Sequence, residues 1–276
     1  MKKHYFTAAI LLAALSLSPL CAGGKTEAAE TPAQGITIEV SGSTSVTPLM
    51  EKLAAEYAKA NPGVRVNING TGSSDGIKAA GQGTSELGMS SRNLKPEEKG
   101  LGLTELVIAL DGIAVIVNPA NPAANLTMEQ IRDIYSGNIT DWSQVGGKAG
   151  KIAVVSREPG SGTRGAFEEI IAFKDKLVLG ATEFDGTGAV KAEVSRNADA
   201  IGYISLGSAD SSVKLLAVEG TAASTANVIN GTYKIARPFI IIYKDSSLGA
   251  GTKKFLDWIM APQGQAIVST NWIAVR

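Results

Sequence analysis

Cysteine and histidine are almost absent from this sequence. There is one of each in 276 residues, Cys21 and His4, both near the start. From residue 22 onward the chain can form no internal disulfide and no Cys/His metal site, and it has no imidazole to act as a base. Aromatic residues are sparse, at 5 %, and occur singly, so they read as packing and not as a platform for stacking bases or sugars. Charge of either sign is not in surplus: 26 basic residues face 26 acidic ones. Without Lys2 and Lys3 the balance is 24 against 26, a net charge of −2. Nothing here suits a nucleic-acid polyanion, and any anion site has to be local. No long hydrophobic run follows residue 20.

The start of the chain reads as an address. Met1-Lys2-Lys3-His4 is basic, and Phe6 to Leu20 is rich in Ala and Leu but short for a membrane span. We expect a signal peptide over residues 1–20 and an exported protein, periplasmic or on the outer face of the cell membrane. Leu17-Ser18-Pro19-Leu20-Cys21 resembles a bacterial lipoprotein cleavage box, with Cys21 as the acylated residue, although Leu20 is larger than that pattern expects. Cleavage after Gly24, with Ala22 and Gly24 as the small residues, is the alternative. Residues 21–34 are polar and rich in Ala and Glu, as in a flexible tether. About 240 residues remain, enough for two lobes.

The most informative stretch is Gly160-Ser161-Gly162-Thr163-Arg164, with Arg157 just before it. An apolar run, Ile152 to Val155, precedes it as a buried strand would. Phe167, Ile170 and Ile171 follow at helical spacing. The glycines therefore sit where a strand turns into a helix. The first N–H groups of a helix have no intrahelical partner and carry the positive end of its dipole, so such a turn can hold an anion. A turn with a simple N-cap is the plainer alternative. The stretch lacks Gly-Lys-[Ser/Thr] and is not a Walker A loop.

The pattern recurs. A strand at residues 36–40 leads into Ser41-Gly42-Ser43-Thr44-Ser45 and a helix through Leu49, Leu53 and Tyr57. A strand at residues 64–68 leads into Gly70-Thr71-Gly72-Ser73-Ser74-Asp75-Gly76 and a helix from Ile77. That last turn also satisfies Gly-x-Ser-x-Gly, the nucleophile elbow of hydrolases, with Ser74 as nucleophile; the missing histidine argues against it. Residues 86–92 form a short strand ending at Ser90-Ser91-Arg92, and Lys95 to Glu98 reads as solvated surface. Residues 104–117 hold two apolar runs parted by Asp111-Gly112 and are expected to cross between lobes; residues 237–243 are the expected return. Thr127 to Gln130 is a capping box. Residues 189–194 suggest a short helix, 201–205 and 213–218 strands, and 253–260 and 262–268 the last helices.

From Ile36 to about Val275 the sequence resembles the phosphate-binding proteins of bacterial ABC phosphate transporters. The resemblance rests on the four turn motifs, the last running from Arg157 to Arg164, and on Ala200-Ile201-Gly202-Tyr203, Asn230-Gly231-Thr232-Tyr233 and Pro262-Gln263-Gly264-Gln265. It implies the α/β fold of a type II periplasmic binding protein: two α/β lobes joined by two hinge crossings, with the ligand in the cleft. The lobes would be residues 35–112 with 236–276, and residues 113–235. It implies a non-enzymatic monomer that binds inorganic phosphate and delivers it to the membrane permease subunits of an ABC transporter, without cofactor, metal or nucleic acid. The implied ligand contacts are Thr44, Ser45, Ser73, Ser91, Arg157, Ser161, Gly162 and Thr163. At Ser91 the better-known pattern has an aspartate, which accepts the proton of hydrogen phosphate and repels sulfate; the serine leaves sulfate or molybdate open as the ligand. Asp75 is a candidate substitute acceptor. Arg92 and Arg164 are expected in rim or interlobe salt bridges, or as second ligands. A sensing or adhesion role on the same fold also stays open.

Overall fold

The computed structural model describes residues 35–276. The expected signal peptide, the tether and Cys21 lie outside the described residues. The chain begins with β1 (Ile36–Gly42), α1 (Thr47–Ala60), β2 (Val64–Gly70), α2 (Ser73–Gln82), β3 (Leu87–Ser90) and α3 (Pro96–Lys99). Next come β4 (Thr104–Val117), β5 (Asn125–Leu126), α4 (Met128–Tyr135), β6 (Ala153–Arg157), α5 (Gly162–Ile171), β7 (Thr182–Phe184) and α6 (Thr187–Arg196). It finishes with β8 (Ala200–Ser205), β9 (Lys214–Leu215), β10 (Ala217–Val218), α7 (Thr225–Ile229), β11 (Ala236–Tyr243), α8 (Ala250–Met260) and α9 (Pro262–Val268).

The alternation of β and α puts parallel strands side by side, each returning through a helix. β1 pairs in parallel with both β2 and β3, and β6 pairs in parallel with both β7 and β8. The order along the main sheet is β2-β1-β3-β11-β4-β8-β6-β7, with β9 also on β4. β4 and β11 are antiparallel to each other and to the strands outside them. The parallel strands of the two halves therefore run in opposite directions, and the carboxyl ends of β1, β2 and β3 face those of β6 and β7.

β4 links two packed bodies. Its first part, Thr104 to Gly112, pairs with β11; its second, Ile113 to Val117, pairs with β8. Ile108 and Ala109 pack with Ile38, Leu49, Leu53, Phe239, Phe255 and Trp272 in one core. Ile113, Val115 and Val117 pack with Tyr135, Trp142, Phe167, Tyr203 and Tyr233 in another. The two main cores share no residue, and their boundary falls at Asp111-Gly112 and just before β11. The result is two α/β lobes joined by two crossings, one within β4 and one at the entry to β11.

Residues 104–117 form one strand, as the expected crossing requires: Asp111, which parts the two apolar runs, finds Arg237 directly opposite on β11. One local expectation is corrected. The run Val213 to Val218 is two short strands: Leu215 pairs with Ile116 on β4, whereas Val218 pairs with Leu126 on β5. Lys95, Pro96 and Glu97 are exposed as expected, while the half-buried Glu98 folds back onto Lys95 N–H and receives Arg92. The capping box at α4 forms as the sequence suggests, with Thr127 Oγ1 accepting from Gln130 N.

Candidate functional site

Four strand-to-helix turns, those after β1, β2, β6 and β7, meet where the carboxyl ends of the two sets of parallel strands face each other. After β1, the N–H groups of Val46 and Thr47 both donate to Ser43 O, leaving those of Thr44 and Ser45 free of backbone partners. Neither the start of α1 nor that of α2 carries a side-chain cap. At α2 the preceding Gly72 has φ 100, which a side chain would strain, and it turns Ser73 into the first helical position. Helix α6 begins in the same way, behind Gly186 with φ 84 and without a side-chain cap. Buried helix starts without caps leave strong donors that need a partner. The N–H groups of Ser73, Gly162 and Thr163 likewise have no hydrogen-bond partner among the described residues.

Hydroxyls fill the space between these turns. Ser45 Oγ lies 2.8 Å from Thr163 Oγ1 and 2.9 Å from Thr187 Oγ1. Thr44 Oγ1 is 3.4 Å from Thr187 Oγ1. On the other side Ser43 Oγ donates to Ser91 Oγ at 2.9 Å, and Ser91 N donates to Ser73 Oγ at 3.2 Å. Ser45, Ser73 and Ser91 have no exposed surface. Gly162 closes the gap between the two groups: a Cβ there would stand 2.2 Å from Ser73 Oγ and 2.7 Å from Ser91 Oγ. Ser43, Thr44, Ser45, Ser73 and Ser91 come from one lobe, Gly162, Thr163 and Thr187 from the other. The cluster therefore spans the cleft with the lobes in contact, and Ser74 N reaches across to Gly160 O at 3.1 Å.

Arg157 ends β6 inside this cluster and is only 1 % exposed. One edge of its guanidinium is occupied: Nε and Nη2 donate to the two carboxylate oxygens of Glu158 at 2.8 and 2.7 Å. The other edge faces the cluster, with Nη2 donating to Thr44 Oγ1 at 3.0 Å and Nη1 to Thr187 Oγ1 at 3.3 Å. The backbone behind it is fixed by Tyr203, whose hydroxyl accepts from Arg157 N. Burial pushes the Tyr203 phenol up to about 12, so it stays a neutral hydroxyl at any ordinary pH. Arg164 adds a second tie by donating to Arg157 O at 2.8 Å.

Of the residues singled out from sequence, Thr44, Ser45, Ser73, Ser91, Arg157, Gly162 and Thr163 come together. Ser161 is adjacent but faces elsewhere: its Oγ accepts from Arg164 N as the cap of α5, and its N–H donates to Glu158 O. Replacing Ser161 by alanine should therefore cost stability, about 1 kcal/mol, and change anion affinity little. Thermal unfolding beside a binding titration checks this; a large loss of affinity at unchanged stability would contradict it. Asp75 is exposed and bonds to no member of the cluster, so it offers no substitute acceptor.

Neither outlying arginine bridges the lobes. Arg92 is held by both oxygens of Glu98 at 2.6 and 2.7 Å. Arg164 is held by Glu168 at 2.7 Å and Glu183 at 2.9 Å. Ser74 Oγ accepts from Arg92 Nη2, and no base is among its partners. Among the described residues no cluster of three metal-binding side chains occurs, and no helix is long and apolar enough to cross a membrane.

Sequence reasoning missed Ser43, Glu158 and Thr187 as members of the site. Thr187 had a signal: Gly186-Thr187-Gly188 repeats the glycine-flanked hydroxyl of the other turns. Ser43 lay inside a motif already singled out. Glu158 had none, since a carboxylate next to an arginine in sequence does not imply that the two pair.

Known proteins resemble this chain in sequence and in fold. The model of the PBP superfamily domain matches residues 26–263. The phosphate-binding protein PstS of Borreliella burgdorferi is 30 % identical over 84 % of this chain and 87 % of its own length. A Clostridium perfringens protein described as a phosphate ABC transporter substrate-binding protein, solved with bound phosphate, is 48 % identical. It superposes with a TM-score of 0.86 over 87 % of this chain and 100 % of its own. An ABC-type phosphate transport receptor from Vibrio cholerae is 36 % identical, with a TM-score of 0.72 over 86 % of this chain and 99 % of its own. By sequence and by fold, the chain belongs to the PBP superfamily, in the family of the phosphate-binding protein PstS.

Proposed function

We propose that this protein binds inorganic phosphate between its lobes and delivers it to the permease subunits of an ABC importer. The observation that carries the reading is the meeting of four helix N-termini on one buried hydroxyl cluster with Arg157 at its edge. Each helix end acts as roughly +0.5 charge, about +2 in all. Arg157 and Glu158 largely offset each other in net charge, so the anion is held by oriented N–H groups and hydroxyls more than by net charge. Thr44, Ser45, Ser73, Ser91, Arg157, Gly162, Thr163 and Thr187 are the ligand contacts, with Ser43 behind Ser91. Hydroxyls both donate and accept. They can therefore take the P–OH proton of hydrogen phosphate, which an array of N–H groups alone cannot.

Residues 35–112 with 236–276 form one lobe and residues 113–235 the other; they close over the anion about β4 and β11. The protein performs no chemistry on its ligand and works as an exported monomer, tethered through a lipid on Cys21. Similarity to the Clostridium perfringens ABC transporter substrate-binding protein and the Vibrio cholerae phosphate transport receptor supports transport as the purpose. A ligand that binds only the native state raises its melting temperature by mass action. Phosphate at a hundred times its dissociation constant should stabilise the protein by about 2.7 kcal/mol, and equal sulfate should leave the melting point where it was. A melting point that phosphate does not move would end this reading.

A further inference from the structure

Behind the hydroxyl cluster lies a second polar group, buried where the two crossing strands face each other. Asp111 on β4 and Arg237 on β11 are direct partners in the register, 2 % and 4 % exposed. Arg237 Nη2 donates to Asp111 Oδ2 at 3.1 Å. Asp111 Oδ1 accepts from Ser205 Oγ, at the end of β8, at 2.9 Å and from Gly207 N at 3.4 Å. Arg237 Nη1 donates to Ser91 O at 3.2 Å. The guanidinium lies over the Phe239 ring, 5.3 Å from its centroid, and Nε is buried without a partner among the described residues.

Such a pair is a poor device for stability alone. Burial pushes Asp111 up to about 6 and Arg237 down to about 10. Removing both charges from water offsets most of what their attraction returns. Its connections are more specific than its energy. It joins β8 of one lobe, both crossing strands, and the Ser91 turn of the other lobe. Ser91 in turn holds Ser73 through its N–H and accepts from Ser43. A continuous hydrogen-bonded path therefore runs from Ser205 to the cleft.

We infer that Asp111 and Arg237 are positioning residues for anion binding, tying lobe closure at β8 to the placement of the Ser91 turn. The inference rests on the phosphate reading of the cleft. On this account the planar fork of Arg237 is essential, because it must reach Asp111 and the Ser91 carbonyl at once. Lysine donates from one nitrogen and lacks the two separate nitrogens that reach Asp111 and the Ser91 carbonyl here.

The test compares phosphate affinity with ligand-free stability in the whole protein, for the wild type, Arg237→Lys and the neutral double variant Asp111→Asn/Arg237→Gln. The double variant avoids a lone buried charge but is too short at residue 237 to reach Ser91. Both variants should melt within a few degrees of the wild type without phosphate, bind phosphate at least tenfold more weakly, and release it faster. Wild-type affinity in either folded variant would overturn the inference and leave the phosphate reading standing. If the double variant does not fold, Arg237→Lys decides by the same criterion. Absence of phosphate binding by the wild type would overturn both.

Discussion

Replacing Arg157 with alanine should weaken phosphate binding more than any other single change. Truncating one member of a buried, hydrogen-bonded charge pair costs about 2–5 kcal/mol, or about 30- to 4,000-fold in affinity. Two effects add here. The edge of the guanidinium that faces Thr44 and Thr187 is lost from the cleft. The Glu158 carboxylate also loses its partner beside a bound dianion, its ion pair with Arg157 being 2.7 Å long. The fold itself should survive, since Arg157 lies at the end of β6 and belongs to neither main core. Calorimetric titration of the variant, with circular dichroism to verify folding, measures the effect. An affinity within twofold of the wild type would place the anion elsewhere.

Gly162→Ala is expected to act by a different route. The added methyl carbon would stand 2.2 Å from Ser73 Oγ and 2.9 Å from Ser73 Cβ, both in the opposite lobe. Rotating the serine relieves the first clash but not the second, so the lobes must stay apart. Overpacking of this kind costs about 1–3 kcal/mol, or about five- to 150-fold in affinity. The ligand-free protein should be nearly as stable as the wild type, because the methyl group enters the cleft and not a core. Small-angle scattering with saturating phosphate should then give a larger radius of gyration than the closed wild type. Wild-type affinity with a wild-type profile would mean that closure at Gly162 is not needed for binding.

Much of this was legible because the site is written in local patterns. Glycine and Ser/Thr between an alternating strand and a helical apolar period mark a turn with free N–H groups, and α1, α2 and α5 were found that way. Helix α6 escaped in part because the strand before it, Thr182–Phe184, has only three residues, two of them exposed, too few to show an alternation. Without a visible strand, Gly186-Thr187-Gly188 did not read as the fourth turn. The direction of Ser161 depends on helix capping against anion binding, two uses for the same hydroxyl that a sequence does not separate. The pairing of Arg157 with Glu158 depends on the chain turning immediately after β6.

The crossing strands show the limit of periodicity most clearly. Asp111-Gly112 looked like an interruption because an acid within an apolar run normally ends a strand. Its partner lies 126 residues away in sequence, and only the β4–β11 register brings the two together. The bend at Leu216 was hidden for a similar reason. Apart from Lys214, Val213 to Val218 is an apolar run with no break at Leu216, but its two halves belong to different sheets.

The central claim is that the closed cleft holds phosphate in preference to other tetrahedral oxyanions. It is tested most directly by calorimetric titration of the protein after carried-over anion has been removed by unfolding and refolding. Phosphate is titrated at pH 6 and pH 8, alone and against a tenfold excess of sulfate or molybdate. The account predicts 1:1 binding of phosphate at both pH values, undisplaced by either competitor, with the hydroxyls around Ser91 accepting the phosphate proton. Displacement by sulfate, or no phosphate binding at either pH, would contradict it.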